Sequence, residues 1–181
     1  MTMKTRALTL VLAMGLAAIL VGCLQVRTTE HRIKLNKDGS GEHMLRLVDI
    51  RSDGTTDSAV ARDFRAMMTF YDEGDKEFAS RGRTVTEKKL YTRNDTLVAE
   101  LGYTVKEMGA IEGLRASEDE LFVVVGPSRV IVKTNGRIRP EQNGNQRIVW
   151  GRNSTRLFYS IREKEMPPTV SLTSMYRGEK R

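Results

Sequence analysis

The sequence predicts an α+β fold: an antiparallel, curved sheet of about eight strands, with one long and one short helix on one face. Three observations lead there. Most of the chain divides into short runs in which apolar residues alternate with polar ones. The connections between them are brief and rich in Gly, Asn, Asp and Ser, so neighbouring strands should pair antiparallel. One segment near residues 57–80 carries apolar residues at helical spacing over several turns, and no internal repeat of fixed period appears.

Before the domain comes an address. Lys4 and Arg6 form a basic flank, and Ala7 to Val21 follows as 15 residues without charge. A spanning helix needs about 20 apolar residues, so the segment reads as a cleaved export signal. It ends in Leu20-Val21-Gly22-Cys23, which resembles the lipobox of bacterial lipoproteins. That resemblance implies cleavage between Gly22 and Cys23 and lipidation of Cys23, whose thiolate is the nucleophile able to take a diacylglyceryl group. The acyl chains then anchor the chain at about 0.8 kcal/mol per buried methylene. The expected division is a lipoprotein signal peptide at 1–22, a lipidated Cys and short tether at 23–28, one α+β domain at 29–162 and a Pro-containing polar tail at 163–181. Leu24, where an Asp would signal retention at the inner membrane, favours the outer membrane if the source is diderm.

Thr29 to Leu35 and Glu42 to Ile50 read as a hairpin about the turn Asn36 to Gly41. His31, Ile33 and Leu35 share one side of the first strand, and His43, Leu45 and Leu47 share one side of the second. Thr56 or Asp57 can cap the helix that follows. Val60, Phe64, Met67, Met68 and Tyr71 form its apolar face, with Phe78 two turns further on, so a single helix is expected from Asp57 to Ser80, weakened at Gly74 and stopped at Gly82.

Thr84 to Tyr91 and Thr96 to Val105 form the next strand pair. A short amphipathic stretch from Lys106 to Gly113 turns Met108 and Ile111 inward. Glu120 to Val125 and Val130 to Thr134 flank the Gly126-Pro127-Ser128 turn. Arg137 to Gln146 reads as a polar loop, and Arg147 to Trp150 with Arg156 to Ile161 as a last hairpin. The end of the chain, with Pro167 and Pro168, is expected to fray.

Composition narrows the function. The chain has 181 residues, of which 39 % are apolar and 29 % charged, enough for one ordinary domain. Cys23 is the only cysteine, so there is no disulfide framework and the folded part tolerates an oxidising periplasm. With only two histidines, no metal site is assigned. His31 and His43 are expected side by side at the sheet margin. Ser40 between two glycines lies in a strand-to-strand turn, not in the strand-to-helix elbow of a hydrolase nucleophile. Asp38 lacks the alternating oxygen residues of a calcium loop. No cofactor fingerprint and no catalytic residue is assigned.

Charge is uneven. Between Arg129 and Arg162 eight basic residues face Glu141 alone, while the rest of the mature chain is slightly acidic. Seven of the eight are Arg, the residue that forks onto phosphate or carboxylate. Arg129, Lys133, Arg147, Arg156 and Arg162 are the candidate contacts to an anionic surface. The export signal sets nucleic acid aside as the partner, and a plain cationic surface that aids solubility is the other reading.

The lipobox, the early hairpin with Asp38-Gly39-Ser40-Gly41, the helix ending in Arg81-Gly82, and the strand Leu97 to Val105 running into Met108-Gly109-Ala110-Ile111 together resemble the LppM-like lipoproteins of bacterial envelopes. The resemblance spans Cys23 to Ile161. It implies an α+β envelope domain that binds lipid or lipoglycan and has no catalytic motif. The C-terminal transmembrane helix of part of that family has no counterpart here, since 167–181 is polar. Two functions follow as expectations. One is a non-catalytic, lipid-anchored envelope lipoprotein holding a lipid in a groove between helix and sheet, with Met44, Met67, Met68, Met108 and Tyr71 as adaptable lining. The other is an accessory lipoprotein docking on an envelope protein complex.

The lipobox makes a direct prediction. Cys23→Ala should abolish acyl labelling and release the protein from membranes. A variant that stays wholly in the membrane fraction would mean that residues 7–21 anchor the chain as a helix.

Overall fold

The computed structural model describes residues 24–179. Gly22 and Cys23, the cleavage and lipidation positions, lie outside the described residues. The chain is sheet-rich, antiparallel throughout and has few helices. It does not form one eight-stranded sheet. Eleven strands build a seven-stranded sheet and a four-stranded sheet.

β1 (Leu24–Leu35) and β2 (Gly41–Ser52) form the first hairpin. The turn between them is closed by hydrogen bonds from Asn36 N–H to the Ser40 carbonyl (2.9 Å) and from the Ser40 hydroxyl to Asp38 (2.7 Å). Gly39 takes φ 86° there, a conformation that favours glycine. Ser40 and Asp38 therefore serve the turn. The expected tether at 24–28 is part of β1, because β2 is long enough to pair with it as far as Leu24↔Ser52. Asp49, at φ 62°, interrupts this ladder opposite Arg27 without changing its register and is held by Arg27 (2.7 Å) and Arg51 (3.3 Å). Across this irregularity both Leu47 and Ile50 lie on the inner face.

Two helices follow where one was expected: α1 (Asp57–Glu73) and α2 (Asp75–Ser80). Thr56 caps α1, accepting from Ala59 N–H (3.3 Å). The break is at Gly74, where an added Cβ would stand 2.5 Å from the Phe70 carbonyl. Lys88, from the next strand, donates to the free carbonyl of Tyr71 (2.7 Å) and pairs with Asp75 (2.9 Å). It thus satisfies the end of one helix and anchors the start of the next.

β3 (Arg83–Arg93) and β4 (Thr96–Val105) complete that side, giving the strand order β3-β4-β2-β1-β10-β7 with β10 (Arg156–Glu163) and β7 (Arg129–Thr134). The second sheet runs β5-β6-β9-β8, built from Arg115–Ala116, Glu120–Val125, Gln146–Gly151 and Arg137–Pro140. The chain therefore changes sheets between β6 and β7, between β7 and β8, and between β9 and β10. The expected last hairpin does not exist: β9 pairs with β6 and β8, whereas β10 pairs with β1 and β7. The polar loop at 137–146 contributes the edge strand β8. Asn135 holds one crossing, accepting from Trp150 Nε1 and Phe158 N–H (both 2.8 Å). Gly136 is required beside it, because a Cβ would lie 2.7 Å from both Ile148 and Trp150.

Burial explains these choices. Leu121, Val123, Val125, Ile148 and Trp150 of the second sheet pack on Ile33, Leu35, Leu157 and Tyr159 of the first. At the other end α1 packs Val60, Phe64 and Met67 onto Ile50, Leu90 and Leu97. Residues 170–179 are not frayed. β11 (Val170–Ser171) pairs with the end of β2, and Leu172 together with Tyr176 of α3 (Thr173–Glu179) enters that same core. Arg51 donates to the Thr169 carbonyl (2.9 Å), which straps the segment down.

Phe64 is 6 % exposed, so Phe64→Ala should cost about 3–5 kcal/mol. Arg65, exposed on the opposite face, should cost under about 0.5 kcal/mol when replaced by Ala. Urea titration reads both, and equal effects would overturn the assigned helix face.

Candidate functional site

The helices cover one part of the inner face of the large sheet and the second sheet covers another. Between the two covers lies a cavity of about 340 Å³. Its floor comes from alternate residues of the central strands: Thr29 and His31 on β1, His43, Leu45 and Leu47 on β2, Ala99, Leu101 and Tyr103 on β4, and Tyr159 and Ile161 on β10. Met67, Phe70, Tyr71 and Phe78 form the helical wall, and Val123 to Val125 the wall on β6. Most of the surface is apolar. Of the methionines expected to line it, Met67 does, whereas Met44, Met68 and Met108 are outside the wall. Tyr71 belongs to it, its hydroxyl donating to the Lys88 carbonyl (3.3 Å).

Charged residues, Asp75, Lys88, Glu112 and Glu163 among them, also line the cavity, and the polar part of the floor is a compact cluster. His31 and His43 are not at the sheet margin. They sit on the central strands, because β1 and β2 are flanked on both sides by other strands. His43 Nδ1 lies 2.5 Å from the Tyr103 hydroxyl, and His43 Nε2 lies 3.1 Å from His31 Nδ1. His31 stacks on Tyr159, with ring centroids 4.2 Å apart and planes 10° apart. Arg83 closes the far side, donating to the Ala110 carbonyl (2.7 Å), with its guanidinium 5.3 Å from the Tyr103 ring centroid. At the rim Arg129 pairs with Glu163 (2.7 Å).

Tyr103, His43 and His31 thus form one hydrogen-bonded chain, which runs either with the phenol donating to His43 Nδ1 and His43 Nε2 donating to His31 Nδ1, or in the reverse sense. Burial, then the neighbouring cations, keeps the chain neutral. His43 is lowered to about 3, first by burial and then by Arg83. His31 is lowered well below its ordinary value by burial, then by His43 and Arg129. Burial pushes the Tyr103 phenol up to about 12 and raises Tyr159 also. Among the described residues, no group of three His, Cys, Asp or Glu side chains is placed to hold a metal ion.

The five cationic candidates do not form one patch. Arg129 is at the cavity rim, held by Glu163. Arg147 lies on the outer face of the second sheet, bonded to Glu141 and 4.3 Å above the Phe122 ring centroid. Register places Lys133, Arg156 and Arg162 on the outer face of the large sheet, joined there by Arg32 opposite Phe158. Among the described residues, none of these four has a carboxylate within 4.0 Å. Lys133 instead lies 5.8 Å from the Phe158 ring centroid.

Comparison of the chain with protein-family models, with curated proteins and with solved structures finds no match. The site is therefore read from its own geometry. Period-two alternation already placed His31 and His43 on the apolar face. Tyr103, Tyr159, Arg83 and Glu163 carried no sequence signal linking them to it, since their strands meet β1 and β2 only in the assembled sheet. Among the described residues no helix is long and apolar enough to cross a membrane.

The histidines predict an acid-sensitive fold. Unfolded, each binds a proton as pH falls through 6.5; folded, neither does until far lower pH. Stability is therefore complete above about pH 7 and is lost on acidification, at up to about 1.4 kcal/mol per pH unit per histidine. Urea midpoints between pH 7 and 5 should show this slope, and His31→Phe should flatten it. An unchanged slope in that variant would refute the assignment.

Proposed function

We propose that this protein is a non-catalytic, lipid-anchored lipoprotein of the cell envelope, LppM-like in kind, that holds the acyl part of a lipid or lipoglycan in the cavity between helices and sheet. The observation that carries the reading is the cavity itself. A docking module gains nothing from an apolar space of this size, because every unfilled volume forfeits packing energy. A lipid carrier requires such a space.

The anchor supports the same reading. Leu24, Gln25 and Val26 line the cavity, and Leu24 directly follows Cys23. Lipid on Cys23 would therefore hold this side of the cavity at the bilayer, where hydrocarbon can pass without crossing water. Arg32, Lys133, Arg156 and Arg162 add an unneutralised cationic strip, which anionic head groups attract by about 1 kcal/mol per residue near the surface. Leu24 also favours the outer membrane over the inner in a diderm source.

Mass spectrometry of lipids co-purifying with the protein tests the reading. Ala99 is a small residue of the cavity floor. Ala99→Phe should fill the space and reduce bound lipid at least tenfold while the thermal midpoint stays within a few degrees. A folded variant that carries as much lipid as the wild type, or a wild type that carries none, would refute the proposal and favour docking on an envelope protein.

A further inference from the structure

The apolar floor of the cavity carries one polar spot whose outward atoms have no partner in the protein. Tyr159 is only 4 % exposed, yet among the described residues its hydroxyl meets no hydrogen-bonding partner and opens into the cavity. Nε2 of His31, the ring nitrogen not used in the bond to His43, has no such partner either. The two rings are stacked at 4.2 Å, so both groups belong to one spot on the floor. Both are open to the cavity, so its occupant can supply the hydrogen bonds that the protein does not.

Both groups can donate, so their common partner is an oxygen with lone pairs. Neither carries charge, because burial keeps the histidines unprotonated and the tyrosines protonated. Arg129, the cation that bears on His31, is paired with Glu163 at 2.7 Å. The surrounding wall is hydrocarbon: Leu45, Leu101, Phe78 and Ile161. We infer that the floor formed by His31 and Tyr159 is an acyl-oxygen subsite, which receives the carbonyl or carboxyl group of a single-chain amphiphile whose hydrocarbon runs along the α1 wall. The chain behind His31 acts as a positioning device. With the Tyr103 phenol donating to His43 Nδ1, His43 Nε2 donates to His31 Nδ1 and the His31 proton faces the cavity.

This inference rests on the lipid-carrier reading, and its test separates the two. The full chain, held in amphipol, is titrated calorimetrically with dodecanoic acid, methyl dodecanoate and dodecyltrimethylammonium. These share a hydrocarbon tail, and only the first two carry an acyl oxygen. The acid and the ester should bind at least tenfold more tightly than the cation. Preference for the acid would assign the site to free carboxylic acids, and parity would assign it to acyl esters. Tyr159→Phe, which keeps the ring and its stacking, should weaken both oxygen ligands about tenfold and leave the cation within twofold. His31→Phe should act in the same way, and circular dichroism checks that each variant is folded.

Orientation has its own reporter. Trp150 is the only tryptophan, and its ring centroid is 6.0 Å from that of Tyr159. 2-Bromododecanoic acid should quench its fluorescence more than the 12-bromo isomer, because the oxygen end lies at the floor. Equal affinity for all three probes, no effect of Tyr159→Phe, or stronger quenching by the 12-bromo isomer would overturn the subsite while leaving a lipid cavity standing. Binding of none of the probes would overturn the cavity reading itself.

Discussion

The central constraint is that the inner face of the seven-stranded sheet is wider than anything else in the chain can cover. A sheet with one apolar face must bury it, and two separate devices do so. α1 and α3 cover the end formed by Ile50, Leu90 and Leu97. The four-stranded sheet covers the end formed by Ile33, Leu35 and Leu157. The break at Gly74 lets α2 tilt away from α1 and carry Phe78 to the second core rather than the first. The cavity is what remains where the two covers fail to meet. Each of its walls belongs to a packed core of its own.

That arrangement explains why the polar cluster is neutral. His31, His43, Tyr103 and Tyr159 sit where the two covers converge, with Arg83 on one side and Arg129 on the other. A protonated imidazole there would lack water and face two guanidiniums. Desolvation and like charge act in the same direction, so the cluster offers hydrogen bonds and not charge. Each arginine already has a carboxylate, Glu112 for Arg83 (3.4 Å) and Glu163 for Arg129 (2.7 Å).

Charge is displaced to the outside. Arg46 is shared between Glu30 (3.4 Å) and Glu100 (3.3 Å) across three adjacent strands, so the outer face is balanced near β2 and β4. Toward β10 and β7 the balance lapses at Arg32, Lys133, Arg156 and Arg162. The two faces of one sheet therefore have separate chemistry, hydrocarbon with neutral donors inside and unpaired cations outside, set by the two-residue period of the strands.

Much of this was legible in the sequence. The charge-free run from Ala7 and the motif ending at Cys23 are linear patterns, and they lie outside the described residues. The first hairpin, the β3–β4 pair, the Thr56 cap and the apolar face of α1 depend on spacing and on residues a few places apart, which a local reading captures. The inward parity of His31 and His43 was visible for the same reason. Sheet membership was not. β6, β7, β8, β9 and β10 are joined by turns as short as those of true hairpins, yet three of those four connections cross between sheets. Only the burial of Trp150, Leu157 and Tyr159 against residues far away in sequence decides that outcome. The docking of residues 170–179 likewise depends on a gap beside Leu90 and Leu97 that exists only once α1 is in place. Alternation tells each side chain which face it shares, because that is local stereochemistry. Which strand lies beside it, and what lies above, is decided by the total apolar surface removed from water, a property of the whole chain. For that reason the sequence alone determined that two histidines face inward, and only the tertiary structure placed them at the floor of a cavity.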